Sequence, residues 1–380
     1  MLIAHLSDTH LGATQFGLRE REEDVYEAFD EVVETAIKDR VEAVIHAGDI
    51  FDSPTPSGTA LVKLADALER LRAKGIRFFF TLGEHDISRV PGTPSPLLYH
   101  RVGLATYVGD GQPVTHRGLT VVGYQKHRRS EVDGLLEKLR SLDALTAASR
   151  GKKILVLHQG LVEAHRWAGE LSASDLPRTF DYYAMGHLHD RFERRFDGLR
   201  GVVCYPGSTE ATHVEGIRDF RKGFYLVDLS GPEARTDWIE IRSLRRQYRV
   251  ELEYDRLQLA IGDLIEKLQG AAKKPILLLR IRGTNIASNR VSKSLESLQP
   301  HVLYHVWEPV AEEGEEEKTY LSRPVDLDAE ILQFAAKITG SPAKAAFAVS
   351  TLLPLLAEGR GEEAFDLLWK TCTEERLKLD

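Results

Sequence analysis

Five short motifs combine imidazole and carboxylate groups in a common setting. They are Asp8-Thr9-His10, Gly48-Asp49, Gly83-Glu84-His85-Asp86, His158, and Gly186-His187-Leu188-His189. Each follows an apolar run that reads as a β-strand, namely LIAHLS, EAVIHAG, IRFFFTLG, KKILVLH and YYAMGH. In an open α/β sheet, sites form where strands run out into loops. Residues two apart on an extended segment face one side, so D-x-H and H-x-H each present a pair of groups. The glycines at 48, 83 and 186 allow tight turns and close backbone approach. A single histidine near a strand end is ordinarily structural, and GD or GH is ordinary turn chemistry. All five at strand ends in one chain point to a shared site.

The residue types select a class of metal. Imidazole and carboxylate without thiolate suit Mn, Fe or Zn better than Mg or Ca, which prefer all-oxygen shells. The candidate ligands Asp8, His10, Asp49, Glu84, His158, His187 and His189 are too many for one tetrahedral ion and suit two ions sharing a carboxylate. Two ions about 3.5–4 Å apart clamp the attacking and leaving oxygens of a phosphoester and activate water near neutral pH.

Elements must bring these residues together. The first 230 residues alternate short apolar strands with amphipathic stretches, the pattern of an α/β layer structure. Val25, Phe29, Val32, Val33 and Ile37 share one face of a helix over Glu22–Ile37, and a second helix covers Ser57–Arg72. Further strands are expected at LTVVGY, GVVCYPG and GFYLVDL. A second unit, about 245–310, reads β-α-β-α-β, with helices Leu257–Leu268 and Ser288–Leu298. The acidic stretch 311–327 reads as a solvated linker. Amphipathic helices are expected over 328–380, either docking on a partner or folding back on the second unit.

These motifs resemble the metallophosphoesterase superfamily pattern D-x-H, GD, GNH[DE], H and GHxH. HLSDTHLG followed by LREREEDVYEAFDEVV, with GDIFD, LHQG, DYYAMGHLH, YPGSTE and KGFYLVDL, resembles one family within it, the archaeal type of the double-strand-break repair nuclease called meiotic recombination eleven, or SbcD in bacteria. The resemblance covers about residues 1–230 with specific motifs, and beyond that only the order of parts. It implies a four-layered α/β/β/α metallophosphoesterase sandwich over 1–240, a small α/β capping domain and a C-terminal helical segment. It further implies a Mn-dependent DNA nuclease with 3′-5′ exonuclease and endonuclease action on double-strand ends and single strands. Two Mn²⁺ per chain are implied, with Fe or Zn as alternatives, together with a homodimer and an SMC-like ATPase partner bound through 328–380. A cytoplasmic, nucleoid-associated location follows, with no membrane partner.

Carried over residue by residue, Asp8, His10 and His189 hold the first metal, Asp49 bridges, and Glu84, His158 and His187 hold the second. His85 matches the family's catalytic histidine, which is not a ligand and assists at the phosphate or the leaving oxygen. Asp86 orients that imidazole or caps a turn. Glu84 departs from the pattern, which has Asn. A carboxylate there removes one positive charge from the loaded site, weakening attraction for a phosphodiester while tightening metal binding. Activity is expected to persist with altered metal dependence.

Other residues carry less. His5 and His46 lie inside strands as core or supporting groups, and Tyr182, Tyr183 and Tyr205 read as core. His213 could contact a phosphate. The runs Lys126-His127-Arg128-Arg129 and Arg218–Lys222 are solvated faces or grips on DNA backbone. The resemblance places a dimer interface on Ser57–Arg72 (Leu61, Leu64, Leu68) and near Leu97, Leu98 and Tyr99, although that apolar face equally serves a core.

Composition bounds the rest. At 380 residues, 42% hydrophobic and 28% charged, the chain suits two or three folded domains and neither disorder nor a membrane span. MLIAHLSDTH lacks the basic region of a signal peptide. Two cysteines, Cys204 and Cys372, suit a reducing interior. A net charge of -8 makes any DNA contact local, metal-assisted or shared with a partner. With two asparagines, two methionines and two cysteines, the chain fits a heat-adapted source or GC-biased codons. Two other functions compete: a small-substrate metallophosphoesterase, and a non-catalytic DNA-end tethering scaffold.

Overall fold

The computed structural model describes residues 1–310 except 166–167 and 213–215, together with 341–352 and 361–374. The chain opens with β1 (Leu2–Leu6), α1 (Arg19–Lys38), β2 (Ala43–His46), α2 (Gly58–Ala73) and β3 (Arg77–Phe80). Short α3 (Leu97–Arg101), β4 (Thr106–Tyr107) and β5 (Val114–His116) lead to β6 (Leu119–Tyr124), α4 (Val132–Leu145) and β7 (Lys152–His158). Then come β8 (Tyr182–Gly186), β9 (Phe192–Arg195), β10 (Val202–Tyr205), β11 (Gly223–Asp228) and β12 (Arg235–Glu240).

Helical spacing on α1 buries Val25, Phe29, Val32, Val33 and Ala36 against the first sheet. The start of α2 is fixed by Ser57, whose hydroxyl accepts from the Ala60 amide at 3.1 Å. The first sheet has the order β12-β11-β1-β2-β3-β4 and the second β5-β6-β7-β8-β10-β9. Ile3, Ile45 and Phe79 of the first sheet share a buried cluster with Ile154, Val156, Tyr182 and Ala184 of the second. Outer faces are covered by α1 and α2 on one side and by α4 on the other. These are the four layers expected, α/β/β/α. Full burial of each large apolar side chain contributes about 1.5–3 kcal/mol, which is why strands such as RFFF read as continuous apolar runs.

Parallel pairing aligns the functional loops. Leu6 pairs with His46 and His46 with Phe80, so the loops after β1, β2 and β3 leave the sheet side by side. In the second sheet His158 pairs with Gly186, which sets the end of β7 beside the start of the GHxH turn.

A three-stranded sheet follows, β13 (Gln247–Glu253), β14 (Ile276–Arg282) and β15 (Tyr304–Val310), in that order, with helices α5 (Leu257–Leu268) and α6 (Ser288–Leu295). The chain divides into two compact units. One comprises Met1–Glu251, Leu257–Arg280 and Asn289–Glu308; the other comprises Leu252–Arg256, Ile281–Ser288 and Pro309–Asp380. In the second unit the Tyr254 hydroxyl accepts from the Ala287 amide at 3.0 Å. Helices Pro342–Phe347 and Gly361–Glu374 also belong to it, the latter with exposed, stacked Phe365 and Trp369 rings. The acidic stretch 311–327 and residues 328–340 lie outside the described residues. Among the described residues no helix is long and apolar enough to cross a membrane.

Candidate metal centre

All seven candidate ligands converge. Asp8, His10 and His189 form one group of donor atoms, and Glu84, His158 and His187 form another. Asp49 stands between them, its Oδ2 3.3 Å from His158 Nε2 and 4.0 Å from His10 Nε2. Asp8 also reaches both groups, with Oδ1 3.9 Å from His158 Nε2 and 4.0 Å from His189 Nε2. His10 and His189 point their Nε2 atoms at each other across 3.2 Å. Glu84 spans two imidazoles, Oε1 at 2.8 Å from His187 Nδ1 and Oε2 at 2.9 Å from His158 Nε2.

The backbone is bent to make this arrangement. Asp8, His10, Asp49 and His187 all take positive φ (53°, 45°, 53° and 95°), the left-handed region that side chains disfavour. Each such residue costs about 1–3 kcal/mol unless its surroundings over-determine it, and such strain collects at functional sites. Here the surroundings do so. The His187 amide donates to both Asp8 carboxylate oxygens at 3.2 Å, and the His85 amide donates to Asp49 Oδ1 at 2.8 Å. Gly48 combines φ +94° with a position where a Cβ would fall 2.3 Å from His158 Nδ1. At Gly83 a Cβ would fall 2.1 Å from Asp49 Oδ1.

The donor set fits divalent cations. His158 Nδ1 donates to the Ala47 carbonyl at 2.7 Å, which leaves Nε2 to carry the lone pair in the neutral ring. That Nε2 is buried and faces three carboxylates, Glu84 Oε2 at 2.9 Å, Asp49 Oδ2 at 3.3 Å and Asp8 Oδ1 at 3.9 Å. Burial opposes charge on His158, but the Asp49 and Glu84 carboxylates outweigh it and raise its pKa well above the usual value. Burial likewise pushes Asp49 up, yet His158 holds it down at about 2. Glu84 sits far below the carboxylate range, because the His158 and His187 contacts outweigh burial. A cation entering here displaces an imidazole proton, so uptake is coupled to proton release.

His85 is on the rim, its Nδ1 donating to the Asp52 carbonyl at 3.0 Å. Asp86 does not orient it. Asp86 accepts from the Ile50 and Phe51 amides (3.2 and 3.0 Å) and from the Gly83 amide (3.0 Å), tying the loop after β2 to the loop after β3. Burial and the Asp49 charge push the Asp86 carboxyl up to about 7. A cleft of about 470 Å³ opens over the centre, lined by Asp49, Glu84, His85, His187, His189 and Arg191 among others.

Residues 1–191 match the calcineurin-like phosphoesterase family. A DNA double-strand break repair protein Mre11 from Sulfurisphaera tokodaii is 32% identical, over 87% of this chain and 86% of its own. The proteins of that name from Methanocaldococcus jannaschii and Saccharolobus solfataricus are each 31% identical, over 74% and 88% of this chain and 77% and 90% of theirs. The chain belongs to the Mre11 family. Within this Mre11-family chain, His5 and His46 are buried supporting groups, bonded to Tyr182 and Thr9 hydroxyls at 2.8 and 3.0 Å. Tyr182, Tyr183 and Tyr205 are fully buried in the core. His213 lies outside the described residues.

The two basic runs divide. Lys126 is not a free cation, because its Nζ lies 2.8 Å from both Glu170 oxygens and 3.4 Å from His187 Nε2. Lys222 is buried and donates to the His189 carbonyl (2.9 Å) and the Ser208 hydroxyl (2.8 Å). Both brace ligand loops, while Arg128, Arg129, Arg218 and Arg221 remain exposed. Sequence reasoning missed three supports. The Asp52 carboxylate approaches His10 Nδ1 at 3.3 Å. Glu170 collects Lys126 and the Gln159 amide (2.7 Å) behind His187. Arg21 is fully buried against Asp24 and Glu210. Only Asp52 had a signal, its place three residues after Asp49 in GDIFD.

Proposed function

We propose that the chain is a two-metal phosphodiesterase that processes DNA ends in double-strand-break repair, with Mn²⁺ the favoured ion and 3′-5′ exonuclease and single-strand endonuclease action. The observation that carries this reading is the pair of ligand groups joined through Asp49 beneath an open cleft. Asp8, His10 and His189 would hold one ion and Glu84, His158 and His187 the other, with Asp49 available to both. When bound, the ions neutralise phosphate charge and lower the pKa of a nucleophilic water. The residues do the rest. His158 keeps its tautomer through Ala47, and His187 is fixed between Glu84 and Lys126. His85, whose Nδ1 is held by the Asp52 carbonyl, lines the cleft and gives a proton to the departing sugar oxygen. Burial lowers the pKa of the His85 ring, while the Asp49 charge, the Asp52 carbonyl and the Glu84 charge raise it overall. DNA as the substrate rests on the family.

Glu84 in place of the family's Asn leaves the loaded site one positive charge lower. End-labelled single-stranded and duplex DNA digested with Mn²⁺, Mg²⁺ or chelator tests the reading. Cleavage should appear with Mn²⁺ and vanish with chelator, and Glu84→Asn should cleave with a weaker requirement-saturating affinity for Mn²⁺. A loaded chain that cleaves neither substrate contradicts the reading.

Assembly follows the same proposal. Residues 245–310 serve as a DNA-facing capping domain, 311–327 as a linker and 328–380 as the ATPase-binding segment. Exposure of Phe365 and Trp369 supports the last assignment. Deletion of 328–380 should abolish co-purification with the SMC-like ATPase while leaving single-strand cleavage intact, and a truncated chain that still co-purifies would contradict it. The homodimer surface is on α2 and α3, where Leu64, Leu68 and Tyr99 are buried while Val62, Leu98 and Val102 stay exposed.

A further inference from the structure

Arg191 lies two residues beyond His189, the spacing that also separates His189 from His187, and lines the same cleft as Glu84, His85 and both histidines. It is about half exposed, at 48%, yet its guanidinium is held in place. The guanidinium carbon sits 5.5 Å from the Tyr225 ring centre and 5.2 Å from that of Trp238. Those two rings are cross-strand partners on β11 and β12, so they form one platform. Tyr225 is fully buried, and the Trp238 indole donates to the Pro206 carbonyl at 3.2 Å. Arg191 Nε donates to the Tyr225 hydroxyl at 2.9 Å. Its Nη2 donates to Glu193 at 3.3 Å, and Glu193 is itself held by the Thr236 hydroxyl at 2.6 Å. Among the described residues Nη1 has no hydrogen-bond partner.

An exposed arginine ordinarily gives up rotamer entropy when it captures an anion, whereas one stacked on aromatic rings with Nε already bonded has lost most of it in advance. A planar guanidinium matches a phosphate with two N–H donors. We propose that Arg191 is a phosphate clamp that binds the internucleotide phosphate adjacent to the scissile one on a DNA strand in the cleft. This rests on the reading of the centre as a phosphodiesterase. It also accounts for how a chain of net charge -8 grips a polyanion locally.

The test uses the full chain, Arg191→Met and Arg191→Lys, with thermal unfolding to verify that each variant folds. Hydrolysis is measured with Mn²⁺ on a single-stranded oligonucleotide and on bis(p-nitrophenyl) phosphate, which has one phosphodiester and no neighbouring phosphate. Arg191→Met should raise KM for the oligonucleotide about tenfold with kcat changed by less than about twofold. Hydrolysis of the small diester should be unchanged, and Arg191→Lys should fall between. In parallel, oligonucleotide binding is followed by fluorescence anisotropy in chelator across a salt series. The slope of log affinity against log salt should shrink by about 0.7 in Arg191→Met. An unchanged KM and slope overturn the proposal. Equal losses on both substrates also overturn it, since they place Arg191 in the reacting centre rather than at a neighbouring phosphate. If the wild-type chain hydrolyses neither substrate, the phosphodiesterase reading fails, and the metal-free salt series still decides whether Arg191 contacts a phosphate.

Discussion

At the residue scale, the centre is built by strain that its neighbours hold in place. Four candidate ligands occupy left-handed backbone, and glycines sit wherever a Cβ would enter a ligand. Gly48→Ala should therefore act twice, opposing φ +94° and driving a methyl group to within 2.3 Å of His158 Nδ1. A loss of about 2 kcal/mol or more in unfolding free energy is expected, together with a fall in Mn²⁺ bound per chain. Chemical denaturation and metal analysis of the same preparation check both. The convergence of the candidate ligands was legible in the sequence because metal chemistry restricts residue types and parallel strands put them at a common edge. Their supports were not. Lys126 looks like part of a solvated basic run, and only the arrival of Glu170 from a distant loop turns it into a brace for His187. Asp86 reads as a partner for adjacent His85, yet three amides from two loops take up its carboxylate.

At the element scale, buried apolar strands and amphipathic helices were readable, and polar edge strands were not. The strands β1, β2, β3, β6, β7 and β8 are buried throughout or nearly so, and their sequences are apolar runs. By contrast β9 (FERR) and β12 (RTDWIE) are partly exposed edges whose polar residues carry no clean alternation. The join between α1 and the later elements was also hidden, because Arg21 and Asp24 look like an ordinary surface pair three residues apart. In the structure Asp24 accepts from Arg21 (2.6 Å), Arg245 (2.7 Å) and Lys273 (2.9 Å). Burial alone would raise the Asp24 carboxyl, but the Arg245 and Lys273 hydrogen bonds and the Arg21 charge hold it below its ordinary value. A carboxyl depressed on folding stabilises above its unfolded pKa, about 3.9, and the contribution is lost as pH falls through the lower folded value. Asp24→Asn should thus destabilise the chain by about 3 kcal/mol at neutral pH, with the gap to wild type closing as pH falls below about 4. Thermal unfolding of both proteins from pH 7 to pH 3 measures this, and a gap independent of pH would contradict it.

At the scale of the whole molecule, a two-sheet sandwich sets its candidate ligand loops along one edge, and similarity to an Mre11 relative spans 87% of the chain. The sequence revealed this scale most fully where residues are bound by chemistry, in the first 230 positions. It revealed least toward the C-terminus, where amphipathic helices satisfy many partners equally well. The central claim is that two divalent ions and His85 together hydrolyse a DNA phosphodiester. The most direct test measures Mn²⁺ content and cleavage of end-labelled DNA on the same preparations of wild type and His85→Ala. Both proteins should bind two ions per chain, with the variant cutting about 10²–10⁴-fold more slowly than wild type. A variant that cuts as fast as wild type, or a wild-type chain holding two ions that cuts no DNA, would contradict the account.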